Sequence, residues 1–453
     1  MSEDQLTDFG RLFTEFLHRS LERVPDRPRS DLLERLQRHL GVDPVGLPVV
    51  SEPHPAFDHA NVRVALEAYA SSPGRSAELL GVGGHGRMHH SLSELLEAGR
   101  HGQYGTGAVD YVSVAVGPER ELTVVNFGLY LISDGDARLA VLLRGSAEQY
   151  GRPSVDVEVL AADPADAQRL LAGVRDELVR HNIFRGQIVS FEPHEFGHGV
   201  GPLRFHARPT LAADDVVLPH GRLETVERQI LGVARHRAVL HAAGHPLKRG
   251  ILLFGPPGTG KTHTVRYLLA QLPDFTAVLL SGMGLHFIQQ ACALARFVQP
   301  ALIVLEDVDL IASSRDMRPG MDNPLLYQVL NEIDGLAGDA DVAFLLTTNR
   351  ADLLEEALAE RPGRVDLAVE VPLPDAAARA ALLRLYGRDI ALTAAEVDAI
   401  VAATDGATAS FFTELARRAA LLAATEGESP GAGHVRRALA ELQASQAALA
   451  AAR

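Results

Sequence analysis

Apolar positions divide the 453-residue chain into stretches of different character. Leu12, Phe13, Phe16 and Leu17, then Leu32, Leu33 and Leu36, recur at helical intervals on either side of the proline-broken VPDRPRS. Residues 41–55 are rich in proline and glycine and read as a linker, or as a loop packed on the next domain. Residues 56–105 mix helical pieces with the punctuated stretch GVGGHGRMHH. Strands are then predicted at Tyr111–Val116, Leu122–Phe127, Leu129–Ser133, Leu139–Leu143 and Val155–Leu160, with Ser133-Asp134-Gly135-Asp136 as a hairpin turn. An amphipathic helix comes next over Pro164–Arg180, where Leu170, Leu171, Val174, Leu178 and Val179 share one face. The expected layout is a helical segment and linker over residues 1–50 and an α+β domain over 51–210.

From Leu211 the pattern changes to strands alternating with helices, the signature of a parallel sheet with crossover helices. Leu247–Phe254, Ala277–Leu280, Ala301–Leu305 and Val342–Thr347 are continuous apolar runs, as strands buried on both faces require. After Pro374 the chain is rich in alanine and leucine with no strand signal. The predicted fold is therefore an α/β domain with a parallel sheet over 211–374, followed by a small helical domain and alanine-rich tail over 375–453.

The strand Ile251–Phe254 runs into Gly255-Pro256-Pro257-Gly258-Thr259-Gly260-Lys261-Thr262, and a helix continues through Leu269. Strand, glycine loop and helix in that order form the phosphate-loop pattern. The glycines let backbone amides curve around phosphates without an obstructing Cβ, and the helix N-terminus adds partial positive charge. Lys261 is placed to reach the β- and γ-phosphates, and the Thr262 hydroxyl to bind Mg²⁺. With His263 opening the helix, these residues are the candidate ATP site.

The strand Ala301–Leu305 ends in Glu306-Asp307-Val308-Asp309. A buried strand that delivers acids at its carboxyl end, beside the phosphate-loop strand, sets them next to a bound Mg²⁺. A later apolar strand ends in Asn349, whose amide can orient a water between carboxylate and γ-phosphate. Glu360-Arg361-Pro362-Gly363-Arg364-Val365-Asp366 comes next.

GPPGTGKT, ALIVLEDVD, LLTTNRADLLEEAL and RPGRVD occur in the order and approximate spacing of the AAA branch of the AAA+ superfamily, which residues 211–440 resemble. NPLLYQVLNEID (Asn323–Asp334) is similar to the helix before sensor 1 in proteasomal regulatory ATPases, and DGATASFFTELARRAA (Asp405–Ala420) to the sensor-2 helix of the lid. The resemblance implies a large α/β domain with a helical lid, and Mg²⁺-dependent ATP hydrolysis. Glu306 takes the place of the metal-associated acid and, with Thr262, the Mg²⁺ site; Asp307 takes that of the carboxylate that polarises water. Asn349 matches sensor 1, and Arg364 matches the arginine finger that reaches into a neighbouring subunit. The implied partners are other copies of the chain, in a ring that is usually a hexamer, and a protein client or adaptor held by the N-terminal domain.

Four positions depart from the family pattern. Most AAA proteins have Asp-Glu where this chain has Glu306-Asp307, so the base is one methylene shorter; this swap and RPGRVDL resemble the mitochondrial AAA translocase of the Rieske protein. Leu367 stands where a second finger arginine is usual, leaving Arg364 with Arg361 as a candidate helper. The stretch from Asn349 to Arg364 carries one extra residue, which puts that helper role of Arg361 in question. The first pore loop falls at Ser281–Phe287, where an aromatic–hydrophobic–glycine pattern is replaced by Gly282-Met283-Gly284, with Met283, His286 or Phe287 as substitutes.

Composition narrows the partners. A net charge of −15 argues against a general phosphate-backbone binder, and so against nucleic acid. No apolar run reaches transmembrane length and the acidic MSEDQLTDFG is unlike a secretory leader, so a cytoplasmic protein without a membrane partner is expected. The single cysteine, Cys292, sits in an apolar helical stretch and reads as a buried, inert thiol.

His194-Glu195-Phe196-Gly197-His198 fits the zincin pattern, which needs both histidines on one helical face. Pro193, Gly197, Gly199, Gly201 and Pro202 oppose a helix, and a glycine-rich inter-strand loop is the better reading. His85, His89 and His90 read as a solvated loop. The leading expectation is a ring-forming ATPase that remodels, unfolds or translocates protein clients as a chaperone does. An ATP-dependent conformational switch or assembly scaffold without threading is the alternative, and a zinc protease fused to an ATPase the remote one.

Overall fold

The computed structural model describes residues 29–147, 151–193, 200–309, 324–336, 338, 340–350 and 365–451. Two compact units account for them: the described residues up to 183 with 200–202, and residues 184–193 with the described residues from 203 onward. Leu12, Phe13, Phe16, Leu17, the His194–His198 motif, Asn323, Arg361 and Arg364 lie outside the described residues.

The first unit is built on strands β1 (Val49–Pro55), β2 (Arg75–Val82), β3 (Thr106–Gly107), β4 (Asp110–Gly117), β5 (Arg120–Asp134), β6 (Ala137–Arg144) and β7 (Ser154–Ala161). They pair in the order β1-β7-β6-β5-β2-β3, with β4 on β5. Helices α1 (Asp31–Leu40), α2 (His59–Ala70), α3 (Leu92–Gly99) and α4 (Pro164–Arg180) cover both faces. Along β5, Tyr130 and Ile132 face Leu66 and Val174 of α2 and α4, while Leu129 and Leu131 face Leu36 and Leu95 of α1 and α3. This alternation explains an apolar run that is continuous although the sheet is antiparallel.

Three expectations are corrected here. Residues 41–55 are not all linker: Val49–Pro55 is a strand paired with β7 from Val49↔Leu160 to Pro55↔Ser154. Its two prolines are tolerated because it lies at the sheet edge. The strands expected at 122–127 and 129–133 are one strand, β5, because Gly128 is not a break. A Cβ there would press on Val125, Leu79 and Val109, so glycine permits close packing inside the strand. The described part of residues 1–50 is not a separate segment, since Leu32, Leu33, Leu36 and Leu40 of α1 are buried in the core of this unit.

The second unit contains a sheet in the order β14-β10-β13-β12-β11-β8-β9. Its strands are β8 (Ile188–Pro193), β9 (Val200–His206), β10 (Arg249–Phe254), β11 (Thr276–Ser281), β12 (Ala301–Glu306), β13 (Val342–Thr348) and β14 (Leu367–Glu370). β10 to β13 pair in parallel, as their apolar runs predict, while β14, which no expected strand covers, pairs in parallel with β10, and β8 joins in parallel with Ala277↔Ile188 and Val278↔Val189. The boundary expected at residue 210 therefore falls too late. Arg208 anchors the connection: its guanidinium donates to the carbonyls of Gly186, Leu269, Leu272 and Phe275 at 2.6–2.9 Å. Four helices over Ala376–Tyr386, Ala394–Ala403, Ala409–Glu426 and Ala432–Ala451 close the chain around Leu383, Ile400, Phe412 and Leu439.

Candidate nucleotide site

β10 lies between β13 and β14, so the loop that leaves its carboxyl end starts from inside the sheet. Gly255, Gly258 and Gly260 have φ of 143°, 75° and 115°, values that side chains with a Cβ rarely adopt. The helix α5 (Lys261–Gln271) begins where Gly260 ends the loop. Thr259 Oγ1 donates to Pro256 O at 2.9 Å, and Lys261 Nζ donates to Gly255 O and Pro256 O at 2.7 and 2.8 Å. Burial lowers the Lys261 pKa, while Asp307 and Asp309 pull it back up. His263 also lines the cleft formed here, and its Nε2 meets Asp215 O at 2.8 Å.

The acids converge from β12. Burial pushes the Glu306 carboxyl above the usual glutamate range, the Thr262 hydroxyl opposes this, and Asp307 adds to it. Glu306 Oε1 is buried without a hydrogen-bond partner. An unsatisfied carboxylate oxygen beside a threonine hydroxyl at a phosphate loop is a donor set that fits Mg²⁺, a hard cation that prefers oxygen. Asn349, directly after β13, donates from Nδ2 to Asp307 Oδ1 at 3.2 Å. Asp309 Oδ1 accepts from Thr348 Oγ1 and from Asn349 N, both at 2.9 Å. Asp309 belongs to the acidic strand end read from the sequence, but its part, fixing the end of the neighbouring strand, depends on strand order.

These groups open on a cleft of ≈ 360 Å³ lined by Lys261, Thr262, Asp307 and Asn349 on one side and by Tyr386, Ser410 and Thr413 of the helical domain on the other. That is a size suited to a small-molecule ligand. Ser410 N donates to Gly258 O at 3.1 Å, bringing the long helix α6 (Ala409–Glu426) directly onto the phosphate loop.

Residues 251–373 match the family model of the ATPase family associated with various cellular activities (AAA). They form an AAA ATPase domain. The chain is 34% identical over 173 residues to a 26S proteasome regulatory subunit 8 homolog of Schizosaccharomyces pombe, covering 35% of this chain and 42% of that one. It is 29% identical over 297 residues to the proteasome-activating nucleotidase of Pyrococcus horikoshii, covering 62% of this chain and 72% of that one. It is 34% identical over 233 residues to the ATP-dependent zinc metalloprotease FtsH 3 of Sphaerobacter thermophilus, covering 49% and 47%. The chain thus spans less than half the length of the first and third of these relatives.

Within the AAA domain the loop after β11 forms a short 3-10 turn over Gly282–Phe287. Met283 is 70% exposed and Leu285 is buried. The Phe287 ring lies 5.9 Å from that of Phe191 on β8, so of the three substitutes Phe287 is tied down while Met283 and His286 stay exposed. Leu367 opens β14 opposite Ile251, a structural place in the sheet. Asp366 Oδ2 accepts from Gly250 N at 2.8 Å and belongs to the same join. Cys292 is fully buried and its thiol is pushed up to about 12. His85, His89 and His90 occupy the loop and turn between β2 and α3; among the described residues the one three-ligand group near enough to share a cation is Glu426, Glu428 and His434.

Proposed function

We propose that this chain is an ATP-hydrolysing motor that remodels, unfolds or translocates protein clients as a homo-oligomeric ring, in the cytoplasm, with residues upstream of the AAA domain recognising the client or an adaptor. The observation that carries the reading is the convergence of Lys261, Thr262, Asp307 and Asn349 on one cleft walled by the lid helix α6. A site walled by two subdomains can turn a change in nucleotide into a change in their angle. The similarity to a proteasome-activating nucleotidase favours protein clients.

In this reading the loop amides and Lys261 hold the phosphates, and Asp307 accepts the proton of a water that Asn349 helps to orient. Thr262 and Glu306 would hold Mg²⁺, which supplies charge neutralisation at the phosphates. Arg364 of an adjacent copy would add positive charge from across the ring interface. The alternative, a nucleotide-dependent switch without threading, is favoured by one observation: the exposed tip of the pore-loop segment is Met283 and not an aromatic residue.

The deciding experiment captures client proteins on the Asp307→Asn chain and then measures their ATP-dependent unfolding by the wild type and by Met283→Gly. Threading predicts lost unfolding with ATPase retained. Unfolding that survives Met283→Gly supports the switch, and normal ATP binding by Lys261→Ala would overturn the site itself.

A further inference from the structure

Asp307 has φ of 51°, and among the described residues Tyr104 is the one other non-glycine with a positive value. Aspartate tolerates the left-handed region better than most residues, but it enters it only where the surroundings hold it there. Here Thr347 of the neighbouring strand holds the backbone, beside the Asn349 amide on the carboxylate. The Asp307 N–H donates to Thr347 Oγ1 at 3.0 Å, and the Val308 N–H donates to Thr347 O at 3.0 Å. Thr347 is 1% exposed and sits at the end of the ladder, beyond the pair Leu305↔Leu346.

The consequence is a change of side-chain direction. A regular strand sends successive side chains to opposite faces. At Asp307 the left-handed residue breaks that alternation, and both acids serve the same loop. Glu306 meets Thr262, and Asp307 acts on Lys261 and accepts from Asn349. A glutamate in place of Asp307 has an extra methylene with which to reach; an aspartate must be carried by its backbone.

We infer that Thr347 is a positioning residue for catalysis, its hydroxyl holding the Asp307 backbone in the turn that aims the short carboxylate into the cleft. This rests on the reading of Asp307 as the carboxylate that polarises water.

The test compares steady-state ATP hydrolysis and nucleotide affinity of the full chain carrying Thr347→Val, Thr347→Ser or Asp307→Asn. Thr347→Val keeps the branched shape and removes the acceptor. It is expected to lower kcat about tenfold, the worth of one hydrogen bond lost from the reacting geometry, with KM for ATP unchanged and the melting midpoint slightly lowered by the unpaired Asp307 N–H. Thr347→Ser restores the rate, and Thr347→Val adds nothing to the defect of Asp307→Asn. Thr347→Ala is read in parallel in case the valine methyl disturbs folding. Wild-type kcat in Thr347→Val and Thr347→Ala, with Asp307→Asn inactive, overturns the proposal and leaves the catalytic reading standing. A Thr347→Ser variant as slow as Thr347→Val also overturns it. If Asp307→Asn itself hydrolyses at the wild-type rate, the reading of Asp307 fails and the proposal fails with it.

Discussion

Asn349 Nδ2 donates to Asp307 Oδ1 across 3.2 Å, tying the ends of two neighbouring parallel strands at the mouth of the nucleotide cleft. The bond sets the orientation of a carboxylate that would otherwise rotate freely. It also defines what an isosteric change does. Asparagine at 307 still accepts from Asn349 and still tolerates a positive φ, so the local geometry survives while the proton acceptor is lost. Asp307→Asn should bind ATP as the wild type does and hydrolyse it at least about 100-fold more slowly. A phosphate-release assay beside equilibrium binding of a fluorescent nucleotide checks both halves, and a near-normal turnover would sink the assignment.

The phosphate loop is equally exposed to a change at Gly258. Its φ of 75° penalises any side chain, and a Cβ there would run into the hydroxyls of Ser410 and Thr408 on the lid. Gly258→Ala should therefore weaken ATP binding about tenfold through strain and a displaced lid. Ser410→Ala in the same chain relieves the contact but not the backbone strain, so it recovers part of the loss. Affinity left unchanged by Gly258→Ala would mean that the loop and lid do not meet in the nucleotide-binding state.

Which parts of this site are visible in the bare chain depends on how local each part is. Gly255–Thr262 is legible because a strand, a glycine loop and a helix are contiguous, and the chemistry is done by backbone as much as by side chains. Glu306, Asp307 and Asn349 are legible because each ends an apolar run. The roles of Thr347 and Asp309 are not, since they depend on which strand lies beside which. Tyr386 and Ser410 are hidden for the same reason, being brought to the loop only by the lid. In the first unit, Pro53 and Pro55 mask an edge strand and Gly128 imitates a turn, because those residue types interrupt strands more often than they occupy them. The late domain boundary arises because β8 pairs with β11 across a long stretch of sequence.

The proposed ring gives a sharper prediction than loss of activity alone. Arg364→Ala should reduce hydrolysis by about 10³-fold if its guanidinium completes a neighbour's site. Mixed in equal amounts, Arg364→Ala and Asp307→Asn chains should regain activity that neither has, because some interfaces pair an intact Asp307 with an intact Arg364. Random assembly makes about a quarter of the interfaces whole, so the mixture should recover up to about a quarter of the wild-type rate per chain. No recovery on mixing, from chains shown to assemble together, would place both residues in one subunit's site or remove Arg364 from it.

The first unit carries its own pH signature at Asp58. Burial raises its pKa from 3.8 to about 6, and the Asn61 amide, 2.9 Å from Oδ1, opposes the shift only in part. The folded chain therefore binds this proton more tightly than the unfolded chain. Its stabilising contribution is complete below the unfolded value of 3.8 and is lost as pH rises through about 6. Asp58→Asn removes the ionisation while its own amide oxygen can still accept from Asn61. The variant should gain stability relative to the wild type as pH rises, with the difference growing between about pH 4 and pH 7 and then levelling off. Urea unfolding read by a probe in the first unit, repeated across that range, measures this difference. A gap that stays constant with pH would show that Asp58 ionises in the folded chain as it does in the unfolded one.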